Sequence, residues 1–391
     1  MMPEVRKISV TNFSDLGKGH TMYINFWYPI AAATEVTNEK PHRTEVLGVK
    51  LVAYRDSDGA AHVLADTCVH RGGSLGKGWV KDNCVVCPYH GWRFDKDGNC
   101  TGIPTLASDE HIPARAKVDS YPVQEKYGIV FAFLGDLPED ERPPLREVAE
   151  WNKPGWRANK LTVFEVGTFY ERSMENGLDP SHNEFVHPAQ GSPVMNDDVK
   201  RKPMEISDVP WGSEFLVKFE NEEKGTEALG ERATLVPEVE AGSGHIGPNQ
   251  MITWINFSEK NRFSQYFFEA PINENRTRVF FVNMRSWLLG PEHDDRISKV
   301  NLVVAQEDID ILQELDPVRT PESPSEEILV RSDGAVVRYR EWLKKWDAKG
   351  WRIDLKALRE QRGDRAFAIP SPGRRTSKNW VLKTVPLLPA R

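Results

Sequence analysis

The stretch that decides the fold is Cys68-Val69-His70, followed after sixteen residues by Cys87-Pro88-Tyr89-His90. Each half presents one cysteine and one histidine, and glycines follow both halves, at Gly72-Gly73 and at Gly91. Two thiolates on one iron and two imidazoles on the other suit a [2Fe–2S] cluster with unequal ends. Its potential of roughly −150 to +300 mV lies above the value of about −400 mV for all-cysteine, plant-type clusters. The ligand set Cys68, His70, Cys87 and His90 therefore predicts a chain that moves single electrons.

Zinc is the main alternative occupant of this region. Cys84-x-x-Cys87 has the spacing of a zinc knuckle, and Cys100 lies nearby in the chain. All four cysteines and two of the ten histidines fall between residues 68 and 100, which argues against a chance grouping. Because the two halves are similar and balanced in Cys and His, we favour the cluster. Cys84 and Cys100 are then interpreted as free thiols or packing residues.

A second candidate metal site lies in Asn176-Gly177-Leu178-Asp179-Pro180-Ser181-His182-Asn183-Glu184-Phe185-Val186-His187. Two histidines five residues apart on a near-helical turn can point to one side. Together with one carboxylate, two imidazoles form the facial triad of non-haem Fe(II) oxygenases, which leaves positions open for O2 and substrate. A lone histidine pair is more often structural, so this interpretation depends on finding the carboxylate.

The carboxylate is expected on an amphipathic helix predicted over residues 293–316. Asp308 falls on the apolar stripe of that helix, where a carboxylate is costly to bury unless it is paired or bound to metal. Asp310 falls on a polar face instead. We therefore predict that His182, His187 and Asp308 hold the iron, with Asp310 as the alternative third ligand.

Both motifs resemble those of the catalytic α subunit of Rieske non-haem iron ring-hydroxylating oxygenases, and the resemblance covers nearly the whole chain. It is most similar to the branch built from α subunits alone, which includes phthalate, vanillate-demethylase and carbazole oxygenases. The resemblance implies a homotrimer in which the cluster of one chain lies near the iron of the next. Asp179 would then link His90 of an adjacent chain to His182, and Asn176 would lie near the iron. A local role for Asp179, starting a turn before Pro180, stays open.

The resemblance and the strand pattern together predict an α+β fold. Residues 1–40 would form an N-terminal segment that packs on the catalytic domain. Residues 41–136 would form an all-β Rieske [2Fe–2S] domain, and residues 137–150, rich in Pro and charge, would be a linker. Residues 151–391 would form the mononuclear iron domain, with a curved antiparallel sheet covered by helices.

Local patterns predict the individual elements. Short apolar runs between turns predict strands around the cluster loops: residues 49–54, 62–64 and 128–134. Alternating runs predict a large sheet with aromatic side chains available to line a pocket: residues 213–219, 250–257 and 262–286. Two further segments predict helices: residues 326–330 and 336–343. The Pro- and basic-rich C-terminal tail is expected to be partly disordered, and Gly242-Ser243-Gly244-His245-Ile246-Gly247 is expected to be a loop, because it lacks the strand–turn–helix context of a dinucleotide site.

Composition excludes several classes of function. A formal net charge of −7 over 391 residues, a pI near 5.9 and dispersed lysines and arginines argue against nucleic-acid binding. No apolar run reaches the roughly eighteen residues that span a membrane, and the start of the chain lacks a signal-peptide core. Four cysteines do not make a disulfide scaffold in a chain of this length, and reduced thiolates suit a cytoplasmic protein.

We therefore predict the terminal oxygenase of an electron-transfer system. A ferredoxin or a flavin-dependent reductase would supply electrons, because no flavin or nicotinamide site is visible in the sequence. The enzyme would use O2 to hydroxylate or oxidatively demethylate an aromatic or other apolar small molecule, as in the catabolism of aromatic compounds. Two alternatives stay open: an electron carrier with a non-catalytic second domain, and a ring dioxygenase of the same family.

Overall fold

The computed structural model describes residues 22–187, 204–220, 238–256, 258, 260–321 and 324–390. Most of the predicted N-terminal segment, residues 1–21, lies outside the described residues. The described chain is a mixed α+β structure, as predicted, with an all-β part followed by a large antiparallel sheet and helices. No helix in the described ranges is long and apolar enough to cross a membrane.

The all-β part contains three small antiparallel sheets, and it carries both cluster loops. Its strands are β1 (Phe26–Ala32), β2 (His42–Val46), β3 (Val49–Arg55), β4 (Ala61–Ala65), β5 (Trp79–Lys81), β6 (Cys84–Val86), β7 (Arg93–Phe94), β8 (Cys100–Gly102), β9 (Ser120–Tyr121), β10 (Val123–Lys126) and β11 (Ile129–Leu134). They pair in the orders β1-β11-β10, β2-β3-β4-β9 and β5-β6-β7-β8. The strands predicted at residues 49–54, 62–64 and 128–134 are confirmed as β3, β4 and β11.

The second part is organised around one antiparallel sheet, which has eight strands among the described residues. These are β12 (Arg157–Ala158), β13 (Thr162–Val166), β14 (Glu205–Val209), β15 (Gly212–Glu220), β16 (Glu238–Ile246), β17 (Gln250–Asn256), β18 (Arg262–Asn273) and β19 (Arg276–Arg285). The sheet confirms the alternating pattern, because β15, β17 and the β18–β19 hairpin coincide with the predicted runs. The segment Gly242–Gly247, predicted as a loop, lies almost entirely within strand β16, so that prediction is wrong.

The helices lie mainly after the sheet in the chain. They are α1 (Tyr170–Leu178), α2 (Asn183–Val186), α3 (Asp294–Leu312), α4 (Gly334–Asp347), α5 (Leu355–Glu360) and α6 (Gly373–Thr376). Helices α3 and α4 confirm two predicted helices. The helix predicted over residues 326–330 is wrong, because only the short 3-10 turn Pro324–Glu326 forms there. The side chain of Ile328 is 93% exposed, so this short apolar run gains no buried face that would stabilise a helix.

The two faces of the large sheet are covered by different parts of the chain. On one face, Phe268 packs against Phe131 of β11, with ring centroids 5.0 Å apart, which joins the sheet to the cluster-bearing part. On the other face, Ser173 of α1 donates a hydrogen bond to Glu269 of β18, and Phe267 packs in one apolar cluster with residues of α3. Helices α1 and α3 are therefore held on the same face of the sheet.

The C-terminal segment returns to the cluster-bearing part. Strands β20 (Phe367–Ala368) and β21 (Lys383–Thr384) pair in parallel, and Ala368 and Leu382 are buried in the same apolar core as Cys68. The guanidinium of Arg374 makes two hydrogen bonds of 2.7 Å to the fully buried carboxylate of Asp119. The prediction of a partly disordered tail is therefore wrong for these residues, since buried apolar and ionic contacts anchor them.

Candidate functional site: two metal centres

The two cluster loops are near copies of each other in backbone geometry. The amide of Cys68 donates to the carbonyl of Gly73, and the amide of Cys87 donates to the carbonyl of Trp92, both at 2.8 Å. Gly72 and Gly91, four residues after each cysteine, both have φ of +72° and donate to the cysteine carbonyl at 2.9 Å. Both positions require the left-handed backbone conformation that glycine adopts without strain. The histidine is two residues after the cysteine in the first loop and three in the second.

The loops bring the four predicted cluster residues together in pairs. The thiol of Cys68 hydrogen-bonds to Cys87, which lowers the pKa of Cys87 to about 6 and raises that of Cys68, as one proton is shared between two sulfurs. The rings of His70 and His90 lie with centroids 4.4 Å apart, and Trp92 stacks on His70 at 4.6 Å. Two sulfurs on one side and two imidazoles on the other match the donor set of an asymmetric [2Fe–2S] cluster.

Backbone amides and a glycine complete this cradle. The amides of His70, Tyr89 and His90 donate to the thiol sulfurs, which stabilises thiolates and tunes a bound cluster. A Cβ atom on Gly73 would lie only 2.9 Å from the sulfur of Cys87. The absence of a side chain at Gly73 therefore makes room for the sulfur.

Cys84 and Cys100 lie on strands β6 and β8 rather than in the loops. The Cys84 sulfur contacts the Thr101 hydroxyl at 3.4 Å, and the Cys100 thiol donates to the Gly102 carbonyl at 3.6 Å. Burial raises the pKa of the Cys100 thiol, which disfavours the thiolate that zinc requires. These local contacts favour the packing role that the sequence predicted for both cysteines.

The second centre is formed where helices α1, α2 and α3 meet. His182 and His187 flank the single turn of α2, and Asp308 comes from the last part of α3. One ligand atom from each of the three lies within 4.8 Å of the others. The His182 and His187 Nε2 atoms are 3.3 Å apart, and Asp308 Oδ1 lies 3.5 and 3.2 Å from them, respectively.

The outer ring nitrogens fix the orientation of both imidazoles. His182 Nδ1 donates to the Asp179 carbonyl at 2.6 Å, and His187 Nδ1 donates to Glu307 Oε2 at 3.0 Å. Protons on both Nδ1 atoms leave the Nε2 lone pairs free to converge on a cation, as metal-binding histidines require. Sequence reasoning identified Asp308 but gave no role to Glu307, whose function depends on its distance from His187.

Electrostatics at this centre favour a bound cation. Burial raises the pKa of Asp308, but hydrogen bonds from His182 and His187 outweigh it and hold that pKa below its usual range. Burial lowers the pKa of His187, yet the carboxylates of Asp308 and Glu307 outweigh burial and raise it overall. Two carboxylates and two imidazoles thus converge, and a divalent cation bound among them would neutralise the negative charge.

The remaining predicted residues surround the triad. Asn176 Nδ2 donates to Asp308 Oδ1 at 2.9 Å. Asp179, at the end of α1, accepts the Ser181 amide at 2.7 Å through its carboxylate, which is the turn geometry expected before Pro180. Asp310 is exposed and accepts from Gln306 on its own helix at 2.6 Å. The structure therefore brings Asp308, and not Asp310, to the histidine pair.

On the face of the large sheet that α1 and α3 cover, an apolar row lies next to a polar row. Met251, Phe267 and Phe281 lie opposite one another on β17, β18 and β19, and a Cβ on Gly177 of α1 would collide with Met251. Two residues further along the same strands lie Thr253, Gln265 and Asn283, again in register. Because alternate residues share a face, this polar row lies about 7 Å from the apolar row. This face provides a mainly apolar floor on which Thr253 and Gln265 are the partly exposed polar groups, because Asn283 is buried and bonds to Asn159.

These two centres define a class of protein, and comparison with known families agrees. Residues 26–122 match the family described as Rieske [2Fe-2S] domain. Residues 166–349 match the family described as Vanillate O-demethylase oxygenase C-terminal domain. The chain belongs to the Rieske oxygenases, which are oxidoreductases with a [2Fe–2S] cluster and a mononuclear iron site.

Individual relatives extend along most of the chain. The oxygenase component of 3-ketosteroid-9-alpha-monooxygenase from Mycobacterium tuberculosis is 25% identical over 386 residues, covering 94% of this chain and 91% of the relative. Methylxanthine N1-demethylase NdmA from Pseudomonas putida is 26% identical and covers 82% and 88%, respectively. A structure of dicamba monooxygenase bound to 3,6-dichlorosalicylic acid superposes with a TM-score of 0.72 at 22% identity, over 88% of this chain and all of the other. These relatives are oxygenases that hydroxylate or demethylate small molecules.

Proposed function

We propose that this chain is the terminal oxygenase of a Rieske system, in which the iron is held by His182, His187 and Asp308. The observation that carries the proposal is the convergence of these three side chains in a chain that also has a Rieske domain. Cys68, His70, Cys87 and His90 would hold the cluster. Bound at these places, the cluster supplies single electrons and a ferrous ion with open coordination positions supplies O2 activation.

The chain's own residues orient and tune the two centres. Glu307 and the Asp179 carbonyl hold the two imidazoles so that both Nε2 atoms face Asp308. Asn176 holds Asp308 Oδ1 and thereby limits rotation of the carboxylate. We assign Asn176 and Glu307 as positioning residues rather than ligands.

We further propose a homotrimer in which Asp179 connects the two centres across a subunit boundary. The Asp179 carboxylate is only partly buried, and Oδ1 accepts the Ser181 amide. Its backbone carbonyl already contacts His182 within the same chain. The contact between Asp179 and His182 is thus present within the chain, and His90 of a neighbouring chain would provide the second contact to Asp179.

The substrate that we propose is an aromatic or otherwise apolar small molecule. The half-buried rings of Phe263 and Phe267 supply apolar contact, and Gln265 offers a hydrogen bond from the same face. The relatives' names include a ketosteroid, methylxanthine and dicamba, which are ring compounds with polar substituents. Hydroxylation or oxidative demethylation is the corresponding reaction.

We propose a ferredoxin or flavin-dependent reductase as the electron donor and the cytoplasm as the location. All four cysteines are free of disulfides, which fits a reducing compartment. The cluster domain would comprise residues 41–136, and a linker, residues 137–150, would join it to the catalytic domain, residues 151–391. The N-terminal segment, residues 1–40, would pack on the catalytic domain. Tyr23 supports this last assignment, because its hydroxyl donates to Asp347 of α4 at 2.9 Å.

The test compares Asp308→Ala with Asp310→Asn in anaerobically purified protein. About three iron atoms and two sulfides per chain, with a Rieske-type EPR signal, are expected for the parent protein. Asp308→Ala should lose about one iron and all product formation while the cluster signal persists, and Asp310→Asn should behave like the parent. Iron retention and normal turnover in Asp308→Ala would refute the triad. A parent protein that keeps two iron atoms even after Fe(II) addition would instead favour the electron-carrier alternative.

A further inference from the structure

A surface groove of about 460 Å³ lies between the first cluster loop and the C-terminal segment. One wall belongs to the loop and the other to the segment that contains β20 and β21. Its lining residues are Thr67, Cys68, Val69, Gly72, Arg365, Ala366, Val381, Leu382 and Lys383. The groove therefore borders the thiolate side of the cluster site.

The histidine side of the cluster site has a different surface. His70 is exposed, and the neighbouring Tyr89 is 59% exposed. In the trimer proposed above, this side would face the iron of the next chain. The groove at Cys68 is thus a second approach to the same cluster, and its lining contains neither of the two imidazoles.

The groove is basic in an acidic protein. Its lining includes Arg365 and Lys383 and no acidic residue, although the chain carries a formal net charge of −7. Both side chains are exposed, and neither makes an ion pair within the described residues. Arg71, also exposed, is in the adjoining loop. Clustered unpaired cations around an apolar floor attract an acidic surface and increase its rate of association.

The wall formed by the C-terminal segment is held in place. Arg374 pairs with the buried Asp119 through two hydrogen bonds of 2.7 Å, and Tyr121 donates to the Ile369 carbonyl at 2.8 Å. Leu382 is buried in the core that contains Cys68. The groove is therefore a preformed surface, and binding of a partner would not require the loss of conformational entropy in this wall.

We propose that this groove is the docking site for the electron donor, and that the donor presents an acidic surface around its own redox centre. The inference rests on the proposed function, because it requires a cluster at Cys68, His70, Cys87 and His90. One electron leaves the donor, which is oxidised by one electron, and enters the cluster, which is reduced by one. No bond forms or breaks in this step.

The test uses the holoprotein and an acidic plant-type [2Fe–2S] ferredoxin as the probe. The double variant Arg365→Glu/Lys383→Glu is compared with Lys126→Glu/Lys160→Glu, which alters two exposed lysines away from the groove and changes the net charge equally. Two quantities are measured over a range of salt: the Kd for the oxidised probe and the rate of cluster reduction by the reduced probe. The groove variant should weaken binding and slow reduction by about tenfold or more at low salt, with a smaller difference at high salt.

Several outcomes separate this inference from the proposed function. Reduction by photoreduced deazaflavin, a small reductant that needs no docking site, should be the same in all variants. Equal losses in both double variants would attribute the effect to net charge and overturn the groove assignment, as would no loss in either. A parent protein without a cluster spectrum would refute the proposed function itself. Absence of product with normal cluster reduction would refute only the iron site.

Discussion

Replacing Glu307 by glutamine should weaken iron binding without removing an iron ligand. Glu307 Oε2 accepts the Nδ1–H of His187 at 3.0 Å, and His187 is 2% exposed. A carboxylate in this position fixes the tautomer and raises the basicity of the imidazole. The glutamine side chain keeps the shape and one acceptor oxygen but loses the charge.

The expected loss is about 10- to 100-fold in Fe(II) affinity, the range found when such outer partners are removed. That range corresponds to roughly 1.4–2.7 kcal/mol. We expect a value in the lower half, because glutamine can still accept the Nδ1–H. The side chain of Glu307 is 22% exposed, and water screens part of its charge.

The assay is competition for Fe(II) between the protein and a chromophoric chelator, with the cluster absorbance as an internal measure of folding. Glu314→Gln is the matched control, since Glu314 is exposed beyond the end of the same helix and makes no contact with the triad. Unchanged affinity in Glu307→Gln would refute the reasoning. An equal loss in Glu314→Gln would attribute the effect to general charge instead.

Two further predictions concern Glu269 and Gly73. Glu269 is fully buried, its Oε2 has no hydrogen-bond partner among the described residues, and burial raises its pKa to about 8. The folded state therefore keeps a proton that the unfolded state loses near pH 4.5, so stability falls as pH rises from about 5 to 8. Glu269→Gln should flatten that slope and stabilise the protein at pH 8 by up to a few kcal/mol in urea unfolding; a slope equal to that of the parent would contradict this. In Gly73→Ala, the new Cβ should displace the Cys87 sulfur and lower the content of acid-labile sulfide. Gly102→Ala is the control and should leave that content unchanged, because its Cβ would have no neighbouring atom closer than 3.4 Å.

The cluster site was predictable because its geometry is local. Each loop closes within six residues, and the glycines at positions 72 and 91 are needed for its positive φ angles. The residue types and their spacing therefore determine the backbone turn, and the turn places the ligands. The same reasoning applies to His182 and His187, which are separated by one helical turn.

The outer contacts were not predictable from local patterns. Glu307 and His187 are 120 positions apart, so the sequence shows a helix with two adjacent carboxylates and does not show which imidazole each one meets. The composition of the C-terminal tail, which is rich in proline and arginine, predicts a solvent-exposed segment. Arg374 has a structural role because it pairs with Asp119, 255 positions earlier, which is buried and has no other cationic partner in the part of the chain that the structure describes.

The strand that contains Gly242 shows how packing overrides a local preference. Glycine weakens a strand unless another group approaches closely, and a Cβ on Gly242 would collide with the ring of Trp254 on the neighbouring strand. The tryptophan ring thus occupies the space that a side chain would fill, and the sheet remains continuous through a segment whose composition favours a loop. Continuity of this strand matters for function, because its neighbour β17 carries Met251, which pairs with Phe267 of β18 on the face that α1 and α3 cover. A glycine that appears to break the sheet instead allows the close packing that keeps the floor of the proposed substrate site intact.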